Sequence, residues 1–329
     1  MTDGKKKKSL TAGDTTFYQF DAQMGFWGVP NLKHEVCYDL RPEESFLVRH
    51  NAEGNRSDTR LQPGERSIVC LGGSHTWGSG VQQDLLYTER LAERTGSRVI
   101  NLGHCSLGLD QVCLAILQKT AKYRPKIIIV EQYPWAVHRV LNNYVNGFVR
   151  PYFYLDSKQD LKLQKVSSFA KHKVIRRIIG AYYTFRKEFR EFQSGIDLKQ
   201  GYDPLADPIF LYWKARQYDS MYALIDKILV VISDYCRQNG IKLLFGVGAI
   251  QQQFGSKSPS VLVDYELPRK RLIELLEKNK ICYADMTAPM LAAHSEQDPV
   301  IFADGHINTK GHDVFSKVLY ENLQLKGWL

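Results

Sequence analysis

With 329 residues, of which 44% are hydrophobic and 24% charged, the chain is long enough for one large α/β domain or two smaller ones, and too apolar for global disorder. Its formal net charge of +9 is concentrated in Lys5 to Lys8 and in residues 158–199, where eleven Lys/Arg stand against four Asp/Glu. This argues against a general nucleic-acid-binding surface and for local basic patches.

Residues 1–15 read as a flexible basic tail. No apolar stretch follows the lysines, so the start lacks a secretory signal. With no run near the ~20 apolar residues of a membrane span, the expected location is the cytoplasm. The six cysteines show no CxxC pair or metal-type spacing, which predicts free thiols and no disulfide framework. Residues 16–66 form an aromatic, proline-bearing lead-in expected to give short strands packed on the core.

Ser67–Leu71 is short, β-branched and apolar, and Gly72-Gly73 follow it, so it reads as a buried strand ending in a sharp turn. That turn places Ser74 at the carboxyl edge of the strand, where open α/β sheets bind ligands. Leu85, Leu86 and Leu91 give helical spacing over 84–95, closed by Gly96, and Arg98–Asn101 reads as a second strand. A helix is expected over 110–123. The continuous apolar run 126–130 predicts a strand buried on both faces.

The alternation then stops, to resume as a helix over 218–239, a strand over 241–247, a helix over 264–280, a strand over 281–284 and a last helix over 311–325. Five strands alternating with helices predict a three-layer α/β/α fold built on a doubly wound parallel sheet. Its domain comprises residues 67–140 and 216–329. Residues 141–215 stand out as a basic, aromatic-rich helical insertion or lid.

A serine after a glycine turn is usually a plain loop residue, and a lone histidine is usually a surface or capping group. Here Asp304-Gly305-His306 opens the last helix, on a loop expected at the same sheet edge as Ser74. In this setting the chain resembles the SGNH (GDSL-like) hydrolases, in particular the longer bacterial members with an N-terminal lead-in. Gly72-Gly73-Ser74-His75-Thr76-Trp77-Gly78 resembles the nucleophile block. Asn101-Leu102-Gly103 with Gly108 and Asp110-Gln111 resembles the second block, 127–130 the strand before the third, and Asp304-Gly305-His306-Ile307-Asn308 with Gly311 the final block.

The resemblance implies a flavodoxin-like fold, Ser74 as nucleophile, His306 as base, Asp304 as the acid that orients it, and the N–H groups of Ser74 and Gly103 as oxyanion-hole donors. The chain departs from the pattern at three places. Gly73 replaces the usual aspartate, and Ala303 occupies the usual position of the acid. The asparagine donor of the third block is missing from Glu131-Gln132-Tyr133-Pro134. Gln132, His138, Asn142 and Asn143 are the candidate replacements, and the sequence does not choose among them.

In the insertion, Val174, Ile178, Tyr182, Phe185, Phe189 and Phe192 recur at three- and four-residue steps, with Arg176, Arg177, Lys187 and Arg190 off that stripe. A lid packed on the domain is the simpler reading. The alternative is peripheral contact of residues 171–192 with an anionic membrane or a lipid-linked donor. Trp77, Trp135, Arg176 and Arg177 are candidate substrate or membrane contacts.

The expected function is a serine esterase hydrolysing a short-chain O-acyl or acetyl ester on a carbohydrate, glycolipid or small metabolite. An O-acyltransferase with the same triad and a catalytically silent glycan- or lipid-binding module are the alternatives. No cofactor, metal or nucleic-acid partner is implied.

Overall fold

Short apolar runs alternating with helices suit strands of a parallel sheet that is covered on both faces. In the computed structural model, which describes residues 16–38, 41–57, 65–145, 147–185, 218–249, 251–254 and 264–329, the chain opens with two antiparallel hairpins. These are β1 (Tyr18–Asp21) with β2 (Gly25–Gly28), and β3 (Lys33–Tyr38) with β4 (Arg41–Arg49). Then come β5 (Ser67–Leu71), the short α1 (Ser74–Trp77), α2 (Tyr87–Thr95), β6 (Arg98–Asn101), α3 (Leu109–Lys119) and β7 (Pro125–Gln132).

After a 3-10 turn over Pro134–Leu141, two more hairpins follow: β8 (Tyr144–Val145) with β9 (Phe148–Val149), and β10 (Tyr152–Leu155) with β11 (Leu161–Gln164). The chain continues through α4 (Lys173–Phe185), α5 (Asp219–Gln238), β12 (Lys242–Val247), α6 (Leu267–Lys278), β13 (Cys282–Asp285), α7 (Thr287–Ala293) and α8 (Thr309–Leu325).

The central sheet is parallel, with the order β13-β12-β7-β5-β6. This is the flavodoxin-like order, which reverses direction between β5 and β7 and opens a crevice at their carboxyl ends. Alternate side chains serve the two layers. Ile68, Cys70, Ile127 and Ile129 pack with Tyr87, Leu91, Phe315 and Leu319 from α2 and α8. Val69, Leu71, Ile128 and Val130 pack with Val112, Ile116, Ile228, Ile232 and Leu272 from α3, α5 and α6. The lead-in adds Phe17, Phe26, Trp27 and Phe46 to this second cluster.

Two elements depart from the periodicity. The helix expected over 84–95 begins at Tyr87, because buried Leu86 is extended (ψ 149°) and separates it from a 3-10 turn over Gln83–Leu85. The insertion is not wholly helical: it carries the strand pairs β8–β9 and β10–β11, with Phe153 buried and its neighbour Tyr154 exposed in the two-residue period of a strand. The tail 1–15, Lys187, Phe189, Arg190 and Phe192 lie outside the described residues, as do residues 186–217 as a whole. No helix among the described residues is long and apolar enough to cross a membrane.

Candidate active site

The position of Ser74 is set by the turn out of β5. Gly72 and Gly73 redirect the chain, and α1 starts at Ser74, where the first N–H groups of a helix have no partner inside it. Gly72 is required by a close approach: a Cβ there would lie 2.2 Å from Thr76 Oγ1 and 2.6 Å from Glu131 Oε2. Glu131, near the end of β7, crosses beneath the turn, and its Oε2 accepts hydrogen bonds from the Gly73 N–H and the Thr76 hydroxyl, both at 3.2 Å. Burial pushes the Glu131 carboxyl above the usual range, and those two donors oppose the shift.

The other half of the site arrives 232 positions later. Gly305 adopts φ +87°, a conformation other residues reach only with strain, and so folds Asp304 back over His306. Asp304 Oδ1 accepts the His306 N–H at 3.1 Å, and Oδ2 accepts from Nδ1 at 2.8 Å. With the Nδ1 proton directed at the carboxylate, Nε2 is left as the acceptor for the Ser74 hydroxyl, 2.8 Å away. The acid therefore reaches the ring from two residues upstream, although Ala303 fills the place three upstream. Gln251 holds the loop: its Nε2 donates to Ala303 O at 2.7 Å, and its N–H to Tyr133 Oη at 3.0 Å. Buried His75 lies edge-on to His306 at 5.4 Å, and burial pushes its pKa well down, so it stays neutral.

The remaining sequence candidates separate. The Gly103 N–H donates to Asn101 Oδ1 at 2.9 Å, so in this arrangement it is engaged by a side chain rather than offered to substrate. Gln132 turns its amide to Tyr133 O at 2.9 Å. His138 is buried edge-on to Trp135, at 4.6 Å between ring centroids. Asn142 Oδ1 accepts the Tyr144 N–H, and Asn143 O accepts from Arg150 N, so both belong to a turn.

Trp77 is no surface contact: it is fully buried, with its Nε1 donating to His50 Nε2 at 3.4 Å. Trp135 is half-buried and lies edge-on to Tyr133. Arg176 is turned inward onto Ala170 O and Lys171 O with its guanidinium over Phe148, which leaves Arg177 exposed. Among the described residues, no cluster of three His, Cys, Asp or Glu is placed to hold a metal ion.

Sequence reasoning missed Glu131, Tyr133, Gln251 and Arg139. The only available signal was a carboxylate and an amide closing the apolar run of β7, since polar residues in a fully buried strand need partners.

Asp110 and Arg150 form a fully buried pair that anchors this region, with Arg150 Nη2 3.2 Å from Asp110 Oδ2. Burial pushes the carboxyl up and the guanidinium down, and their mutual attraction opposes both shifts. Arg150 also donates to Ser106 O and Arg139 O. Asp110→Ala leaves a buried cation unpaired and is expected to cost about 3–5 kcal/mol in urea unfolding, most of it recovered in Asp110→Ala/Arg150→Met. A loss below about 1 kcal/mol would show that water reaches the pair.

No protein-family model matches the chain, and no curated protein matches it. Among solved structures, the chain is similar to lipolytic proteins and acyl hydrolases of the GDSL type. A member of the lipolytic G-D-S-L family from Veillonella parvula has 13% identity over 79% of this chain and 98% of that one, with a TM-score of 0.43. A GDSL-like lipase from Bacteroides thetaiotaomicron has 11% identity over 82% and 92%, with a TM-score of 0.41. A two-domain esterase active on acetylated mannans has 12% identity over 80% of this chain and 50% of its own, with a TM-score of 0.39.

Proposed function

We propose that this chain is an SGNH-type serine esterase that hydrolyses a short-chain O-acyl or acetyl ester on a carbohydrate, glycolipid or small metabolite. One observation carries the reading: Ser74 Oγ, His306 Nε2, His306 Nδ1 and Asp304 Oδ2 form a continuous hydrogen-bonded relay at the carboxyl edge of the sheet. Ser74 Oγ attacks the ester carbon while its proton passes to His306 Nε2. The carbonyl π pair moves to oxygen, then returns as the bond to the leaving alcohol breaks, and His306 protonates that alcohol. Water, deprotonated by His306, attacks the acyl-enzyme and releases Ser74 and the acid. Asp304 keeps the ring in the required tautomer and stabilises its charged form.

A fluorophosphonate probe on the intact protein tests the reading. Labelling at Ser74 together with turnover of p-nitrophenyl acetate is the expected result. Unlabelled Ser74 with tight glycan or lipid binding would instead indicate a silent module. Slow hydrolysis that gives way to fast transfer onto an added hydroxyl acceptor would make the protein an acyltransferase.

A second reading concerns the insertion. Phe169, Val174 and Ile178 are 67%, 68% and 65% exposed, with Lys171, Lys173 and Arg177 exposed beside them. An apolar stripe flanked by cations suits an anionic membrane surface. Flotation with vesicles containing phosphatidylserine, lost at high salt and in Val174→Asp/Ile178→Asp, is expected. No flotation at low salt would remove this contact.

A further inference from the structure

We propose that Arg139 is the charged oxyanion donor of this site, in place of the missing asparagine amide; this rests on the esterase reading above. Its side chain leaves the 3-10 turn that follows β7 and crosses to the loop after β6. There Nη1 lies 3.4 Å from Leu107 O, and a Cβ built on Gly73 would stand 3.1 Å from the same nitrogen. The guanidinium thus borders the residue directly before the nucleophile, and the absence of a side chain at Gly73 leaves that approach open.

Three further observations single this group out. Among the described residues Arg139 makes no ion pair: Glu131 attracts it only from beyond contact, its guanidinium lies 6.0 Å from the Trp135 ring centroid, and its one hydrogen bond from the guanidinium is the long one to Leu107 O. A guanidinium has five N–H donors and stays protonated in proteins, so an anion is the natural complement of this one. The other nearby donors are engaged, as the Gly103 N–H and the Gln132 amide show. The backbone of Arg139 is also fixed, since its carbonyl accepts from Arg150 Nη2 at 2.9 Å and Arg150 is itself held by Asp110. A donor held in place before charge develops avoids reorganisation when the oxyanion forms, which is what makes such groups effective.

As the Ser74 Oγ–carbon bond forms, the displaced electron pair comes to rest on the carbonyl oxygen. The Ser74 N–H and a guanidinium N–H receive it there until the leaving-group bond breaks.

The test is steady-state kinetics with p-nitrophenyl acetate, a neutral ester that offers no anionic group for ground-state binding. In Arg139→Met, kcat is expected to fall on the order of 100-fold with KM nearly unchanged. Arg139→Lys should retain part of the rate, and added ethylguanidinium should partly restore Arg139→Ala. Thermal melts of all three variants report on folding. Unchanged kcat in Arg139→Met overturns the assignment, as does a raised KM with kcat intact. A loss that neither lysine nor ethylguanidinium lessens would make Arg139 a structural residue. A wild-type protein with no turnover and an unlabelled Ser74 fails the esterase reading itself, a result separate from these.

Discussion

Ser74→Ala and His306→Ala are each expected to lower ester turnover by on the order of a million-fold, and the double variant is expected to fall no further. The non-additivity is the informative part. Ser74 Oγ and His306 Nε2 share one proton across 2.8 Å, so removing either end removes the whole function of the pair. Asp304→Asn is expected to cost roughly ten-thousand-fold, because an amide cannot hold Nδ1 in the same tautomer. The turn itself should persist, since the amide oxygen can still accept the His306 N–H, which leaves the new NH2 facing Nδ1. Single-turnover assays with a chromogenic ester measure all four variants. Rates for Ser74→Ala and His306→Ala that match the wild type would sink the triad assignment.

The second large effect is acid lability. Burial pushes His50 down to about 4, and His138 and His312 to about 3. The first and last have geometric reasons to remain neutral. His50 Nε2 accepts from Trp77 Nε1, and His312 Nδ1 accepts the Tyr87 N–H at 3.0 Å, so protonation would cost each a buried hydrogen bond. Arg56 lies near both and Arg90 near His312, adding repulsion to the charged forms.

In the unfolded chain these rings take up protons near pH 6.5, whereas the folded chain resists until pH 4 to 3. The unfolded state therefore binds more protons throughout that window, and stability present above pH 6.5 is lost as the pH falls. Each ring contributes at most about 1.4 kcal/mol per pH unit. Three together can exhaust a typical stability of roughly 5–15 kcal/mol within a few units. Glu131 and Asp110, both raised by burial, act in the opposite sense. Tryptophan fluorescence should report cooperative unfolding between about pH 5 and pH 4. A native spectrum at pH 3 would show that these rings are solvated.

Much of the architecture was legible because burial on both faces leaves an unbroken apolar run. β5 and the body of β7 are such runs, the other three strands lie where shorter apolar segments stand, and the two-glycine turn marks where Ser74 emerges. Periodicity failed where polar groups are buried. The run over 126–130 ends before Glu131 and Gln132, yet β7 continues through both, since Gly73 and Thr76 supply donors that make a buried carboxylate tolerable. It failed also for Trp77, which stands beside the nucleophile in sequence but packs inward against Phe17 and Phe46.

By itself, the order of apolar runs and turn residues determined the layered sheet and the edge on which Ser74 and His306 sit, because both follow from local periodicity. Only the tertiary structure decided which groups meet there. The left-handed Gly305 brings Asp304 to His306, Asn101 engages the Gly103 N–H, and Arg139 reaches Gly73 from a different loop. Such meetings depend on the directions of side chains from distant segments, which no local pattern of residues encodes.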